Sequence, residues 1–184
     1  LISARQRLQQ DYDRHAQPLR LLHAHSDLVD EHLQAVWQML AMPSDLALAA
    51  VGGYGRGTLF PKSDIDLLIL LPGEPDAALQ HRLQELVGVL WDIGLDVGHS
   101  VRTVPQCIAE SADVTVQTNL LEARLITGAP QLFAELHSAL MQHLDHRAFY
   151  LAKKREQEQR HGRLLDTDFN LEPNLKESPG GLRD

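Results

Sequence analysis

The sequence predicts an α/β (α+β) domain: a small mixed β-sheet flanked by helices, followed by a helical bundle. Three observations carry this. Apolar runs of strand length, at residues 46–51, 64–71 and 95–103, alternate mid-chain with stripes of helical period. Helical periodicity alone dominates both ends. The run Leu67-Leu68-Ile69-Leu70-Leu71 lacks polar alternation, as expected of a strand covered on both faces.

Taken in order, residues 3 to 41 read as helix. Leu22, Val29, Leu33, Val36 and Leu40 recur at spacings of seven, four, three and four. Pro18 separates two helices or starts the second. Met42-Pro43-Ser44-Asp45 is a break, and Leu46 to Val51 is a strand of small apolar residues ending at Gly52-Gly53. Gly55 to Leu59 are expected to form a short helix. Asp64 to Leu71 is the second strand and Pro72-Gly73-Glu74-Pro75 a loop. Leu79, Leu83, Leu86, Val87, Leu90 and Trp91 make a helical stripe, and Leu95 to Thr103 a third strand behind Gly94. The pattern from Val104 to Ile126 is helical again. Leu132, Leu136, Leu140 and Leu144 line one helix face, and Phe149 to Leu165 is a charged helix. Thr167 to Asp184 reads as irregular. The expected divisions are an N-terminal helical segment at 1–43, a core at 44–104, a helical segment packing on it at 105–165, and an irregular tail at 166–184.

Composition narrows the function. The 184 residues suffice for one good-sized domain, and 43% hydrophobic with 23% charged residues is ordinary for a globular chain. A formal net charge of −8 argues against a duplex DNA or RNA binder, which carries a basic field. It does not argue against a nucleotide, which needs only a few local cations and a metal. Cys107 is the sole cysteine, which excludes an internal disulfide and fits a reducing cytoplasm. No apolar run reaches the roughly 18 residues of a membrane span, and no signal-peptide pattern is present. A start at Leu1 and an end just past a glycine-rich turn suggest a piece of a longer protein.

The chemistry concentrates in one stretch: Val51-Gly52-Gly53-Tyr54-Gly55-Arg56-Gly57, then Pro61-Lys62-Ser63-Asp64-Ile65-Asp66. Residues i and i+2 of a strand share a face, so Asp64 and Asp66 sit side by side with Ile65 and Leu67 facing away. Close carboxylates resist joint ionisation, and a bound divalent cation removes that penalty. Glycines just upstream let backbone N–H groups approach a phosphate. A phosphate cradle beside metal-binding carboxylates is the equipment of metal-assisted phosphate chemistry. Neither half is specific alone. Gly52 to Thr58 fails the P-loop for want of its lysine, Gly53-x-Gly55-x-Gly57 fails the dinucleotide spacing, and exposed acidic pairs are common. Together, on adjacent elements, they are far more specific. Arg56 either holds phosphate or makes a surface salt bridge, with guanidinium geometry and its place in the turn favouring phosphate. Ser63 either hydrogen-bonds phosphate or caps a turn, and Lys62 stays open. The scattered histidines show no zinc spacing, and His99 reads as packed.

The combined pattern resembles the nucleotidyltransferase superfamily that includes DNA polymerase beta. Its signature is a Gly-Gly or Gly-Ser turn, a gap of roughly ten residues, and Asp-x-Asp on the next strand, which Gly52-Gly53 and Asp64-Ile65-Asp66 match. Within it the chain looks closest to the PII uridylyltransferase/uridylyl-removing family. The stretches Leu90 to Thr103 and Asn170 to Asp184 also resemble that family. The resemblance implies a polymerase-beta-like sheet and a reaction that moves UMP from UTP to a tyrosine of the PII nitrogen-regulatory protein. It implies Mg²⁺, with Mn²⁺ as alternative, on Asp64 and Asp66. A third acid usually joins from the neighbouring strand; Asp96 is expected to fill that role, and related chains sometimes place it where this one has Gly98. Gly52, Gly53, Arg56 and Ser63 would contact the triphosphate, and Lys153 would add a cation from a following helix. No His-Asp dipeptide occurs, so the family's uridylyl-removing hydrolase is expected outside these residues. Another acceptor, or nucleotide sensing without turnover, stay open as alternatives. The expected setting is cytoplasmic, with neither nucleic acid nor membrane as partner.

Overall fold

The computed structural model describes residues 2–165; the block from Asn170 to Asp184 and the irregular stretch expected from Thr167 lie outside them. The chain forms two compact units, Leu1–Gln142 and His143–Asp184. In the first, α1 (Ile2–His15) and α2 (Pro18–Met39) lead into β1 (Ala47–Ala50), α3 (Gly52–Gly55), β2 (Ile65–Leu71), α4 (Ala77–Asp92) and β3 (Val97–Thr103). Then come α5 (Val104–Glu110), α6 (Val114–Leu121), β4 (Arg124–Gly128) and α7 (Pro130–His143). The described part of the second unit is α8 (His146–Leu165).

Local chemistry fixes most boundaries. Pro18 opens α2 at a position where its missing N–H costs nothing. Asp76 caps α4 by accepting from the Leu79 N–H at 2.8 Å. Thr103 and Gln106 form a reciprocal capping box at the start of α5. Asp113 accepts from the Thr115 and Val116 N–H groups at the start of α6, and these bonds hold its carboxyl below the usual carboxylate range.

The four strands form one mixed sheet in the order β3-β2-β1-β4. β1 runs antiparallel to β2 and β4, and β2 pairs parallel with β3 through the α4 crossover. Alternation along the strands builds two apolar layers. Leu48, Ala50, Ile65, Leu67, Ile69 and Leu71 pack with α2 and α4, through Val29, Leu33, Trp37, Leu86 and Leu90. Ala47, Ala49, Leu68 and Leu70 face α5, α6 and α7, through Cys107, Leu120, Leu136 and Leu140. β2 is buried along its whole length except at Asp66.

Three expectations fail here. The short helix is not at Gly55–Leu59; it begins three residues earlier, on the glycines themselves. The helical reading from Val104 to Ile126 is broken into α5 and α6, and its end becomes a fourth strand. Arg124–Gly128 extends because it pairs with β1, a non-local partner that overrides a five-residue preference. The third strand also starts later than expected, at Val97.

α2 shares its core with the sheet, and Leu33 has no exposed surface there. Leu33→Ala is expected to lower stability by about 2–5 kcal/mol, read as a fall in the urea midpoint at unchanged slope.

Candidate active site

The site begins with one extra rung of the β1–β2 ladder. Ala50 pairs with Leu67, and the next N–H, that of Val51, donates to the Asp66 carbonyl at 3.0 Å. Gly52 follows at once with φ +56°, a left-handed conformation that other residues strain to adopt. α3 therefore starts beside Asp66. A methyl group on Gly52 would lie 3.1 Å from Asn119 Oδ1 and 3.7 Å from Asp66 Oδ2. The first N–H groups of a helix have no carbonyl one turn back, and Gly53 is exposed there with no side chain in the way. Gly52 and Gly53 thus present backbone donors next to a carboxylate.

Asp66 is gripped from the other side as well. It stands opposite Gly98 in the β2–β3 register, and a Cβ on Gly98 would come within 2.8 Å of Asp66 Oδ1. An acid at position 98 would collide with Asp66 as it stands. Burial raises the Asp66 pKa above the ordinary carboxylate value, and the negative charge of Asp64 adds to the rise.

Asp64 lies one residue before β2 and is exposed. Asp96 lies one residue before β3, also exposed, and its carbonyl accepts from the Ile65 N–H at 3.1 Å. Continuing the parallel register by one step sets Asp96 across from Asp64. The acids thus share one end of the β2–β3 pair. Among the described residues, however, no three His, Cys, Asp or Glu side chains converge as a self-sufficient metal cage.

The expected phosphate contacts divide. Arg56 Nη1 donates to Glu122 Oε2 at 2.7 Å, while its other terminal nitrogen lies 3.6 Å from the Cβ position of Gly53. The surface salt bridge is therefore real, and it parks the guanidinium over the turn. Ser63 is exposed and its N–H caps the Phe60 carbonyl at 3.0 Å. Lys62 is exposed. Lys153 belongs to the second unit, where its Nζ pairs with Glu156 at 2.5 Å. His99 is exposed on β3 and meets Trp91 edge-on, with ring centres 6.5 Å apart.

Sequence reading gave no hint of how the turn is held. From α2, His23 Nδ1 donates to the Gly57 carbonyl (2.9 Å) and His25 Nδ1 to the Leu59 carbonyl (3.1 Å), while Ser26 Oγ accepts from the Leu59 N–H (3.0 Å). Burial pushes the His25 pKa down from the usual histidine value. Also on α2, Asp30 accepts from the Tyr54 hydroxyl and takes both Arg124 terminal nitrogens, at 2.5 and 3.1 Å. Burial and the Asp30 hydrogen bond drive the Tyr54 pKa far upward. The Arg124 guanidinium sits 5.5 Å from the centre of the Tyr54 ring. Behind α3, a Cβ on Gly55 would fall 2.1 Å from the Glu122 carbonyl oxygen, so this glycine is required for contact with the α6–β4 corner.

Two outcomes follow. The Asp66 pKa is raised in the fold, so its ionised form costs stability at neutral pH and the cost fades as pH falls through the folded-state pKa. Asp66→Asn should therefore melt higher than the native sequence at pH 7, with the gap closing in acid; a gap that widens in acid reverses the sign. Asp30→Ala leaves the Tyr54 hydroxyl and the Arg124 guanidinium without their acceptor, a loss of about 2–3 kcal/mol, checked by a double-mutant cycle with Arg124.

Residues 29–126, which contain β1, α3, β2, β3 and most of β4, match the nucleotidyltransferase domain family. Residues 148–184 match the GlnD PII-uridylyltransferase family. The bifunctional uridylyltransferase/uridylyl-removing enzyme of Aromatoleum aromaticum is 52% identical over 97% of this chain and 21% of that protein. Its counterpart in Nitrosospira multiformis is 53% identical over 100% of this chain and 22% of that protein. The chain thus spans about a fifth of the length of the curated relatives it matches. A solved toxin–antitoxin structure, MntA-HpeT, is similar at a TM-score of 0.42 with 14% identity, covering 74% of this chain and 96% of that one. The match over residues 29–126 covers more than half of the chain, and the chain belongs to the nucleotidyltransferase domain family.

Proposed function

We propose that this domain transfers UMP from UTP to a tyrosine hydroxyl of the PII nitrogen-regulatory protein, releasing pyrophosphate. One observation carries the chemistry. The sole break in a buried central strand is a carboxylate wedged between a glycine turn and a neighbouring strand. The names of the relatives support the uridylyl group and, through residues 148–184, PII.

The donor set suits Mg²⁺, or Mn²⁺ in its place. Mg²⁺ is commonly bound through one or two carboxylates plus substrate phosphates, keeping several waters. Asp64 and Asp66 supply such a pair, and the charge of Asp64 is felt at Asp66. When bound, the ion would neutralise charge on the attacking and leaving oxygens. The chain's own residues do the rest. The N–H groups at Gly52 and Gly53 and the free edge of Arg56 orient the β- and γ-phosphates, with Ser63 at the loop's far end. The phenol oxygen attacks the α-phosphorus in line, a new O–P bond forms, and the α–β anhydride bond breaks with its electrons leaving on pyrophosphate. The phenol, of pKa near 10, must lose its proton, and in this proposal Asp96, across from Asp64 in the β2–β3 register, receives it. The same proposal sets the reaction in the cytoplasm, with no role for nucleic acid or membrane. The acidic balance of −8 supports the first absence. No helix among the described residues is long and apolar enough to cross a membrane.

Asp64→Asn and Asp66→Asn in the full-length protein should each lower UMP incorporation from labelled UTP into PII by about 10²–10³-fold or more. Both should keep a cooperative melt. Native-level incorporation by either variant rules the mechanism out, and equal incorporation from all four nucleotides rules out UTP as the selected donor.

A further inference from the structure

The carboxylate of Asp66 has two differently occupied sides. Oδ2 points toward Gly52 and the start of α3, whereas Oδ1 points toward Gly98 on β3. A groove of about 300 Å³ runs along this carboxylate, from Val51 and Asn119 at the Gly52 end, past Gly98 on the second side, to Arg102. Its floor is the β2–β3 pair, at Asp66, Gly98 and Ser100, with Arg102 further along. α6 forms its wall through Val116 and Asn119. The absence of a side chain at Gly98 keeps the groove continuous with Asp66.

The groove has mixed chemistry. Val116 and Leu120 supply apolar wall. The Asn119 carboxamide makes no hydrogen bond among the described residues and stands at the Gly52 end. Ser100 Oγ reaches only the Leu67 carbonyl, at 3.5 Å. Arg102 closes the far end while paired to Glu110. Such a slot suits a flat, largely apolar group with one polar atom at its tip.

Resting on the proposed transfer of UMP, we infer that this groove is the acceptor subsite and that it takes the tyrosyl ring of the modified protein. The reason is geometric. Displacement at the α-phosphorus demands that the nucleophile and the departing pyrophosphate lie on opposite sides of the phosphorus. The glycine turn and Arg56 hold the pyrophosphate end on the Oδ2 side of Asp66. The nucleophile therefore enters from the Oδ1 side, where the groove lies.

The test uses the full-length protein with PII and Mg²⁺–UTP. Val116→Trp fills the groove from α6. It should raise the KM for PII by about tenfold or more while the calorimetric Kd for UTP stays within about twofold. An unchanged KM for PII overturns the assignment. So does a tenfold weaker UTP with PII unaffected, which would place the nucleoside in the groove. A second measurement leaves the enzyme unaltered: p-azidophenylalanine at the modified tyrosine of PII should crosslink to peptides of β3 or α6, and crosslinks confined to other peptides overturn the assignment. If native protein incorporates no UMP, the proposed function itself fails, a result distinct from either.

Discussion

A single backbone hydrogen bond ties the site together, from the Val51 N–H to the Asp66 carbonyl. It makes the distance between turn and carboxylate a property of sheet register rather than of side-chain flexibility. Strand register is set by burial, because a slip of one residue turns every side chain to the opposite face. Here both faces of β2 are covered, and a slip would bury Asp66 among Leu48, Leu86 and Leu90 while expelling Ile65. The core therefore enforces the placement of the acid, and the acid tolerates it by lying at the strand's open end.

The rest of the first unit prevents the turn from drifting. α2 holds the segment after the turn through His23, His25 and Ser26, and holds Tyr54 inside it through Asp30. The α6–β4 corner holds it from behind, with Glu122 on Arg56, the Glu122 carbonyl against Gly55, and Arg124 on Asp30. Preorganised donors and charges of this kind do their work without rearranging during reaction. The arrangement also gives the glycines separate duties. Gly52 supplies a left-handed turn, Gly55 a close contact, and Gly98 room for the carboxylate.

How much of this was legible in the sequence depended on range. The unbroken apolar run of β2 is a local signal and appears in the structure as read, whereas Asp64, read as the strand's first residue, lies one residue before it. The position of α3 was misread because glycine is a poor helix former, so Gly52 and Gly53 looked like turn alone. β4 was missed because its five residues become a strand only by pairing with β1, about eighty positions earlier. The salt bridge of Arg56 spans 66 positions to Glu122, and that of Arg124 spans 94 to Asp30. No periodicity announces such pairs. Asn119, between Gly52 and the groove, has no motif around it.

The shared role of Asp30 bears on how far this chemistry could be transplanted. The stretch that carries the glycines and both acids is short, and it invites grafting as a minimal hairpin. Excised from α2, that hairpin would leave the Tyr54 phenol without the Asp30 carboxylate that it shares with Arg124 of β4. The smallest portable unit must therefore begin upstream of His23 and run through Arg124, making the long leading helix a component of the catalyst rather than packaging around it.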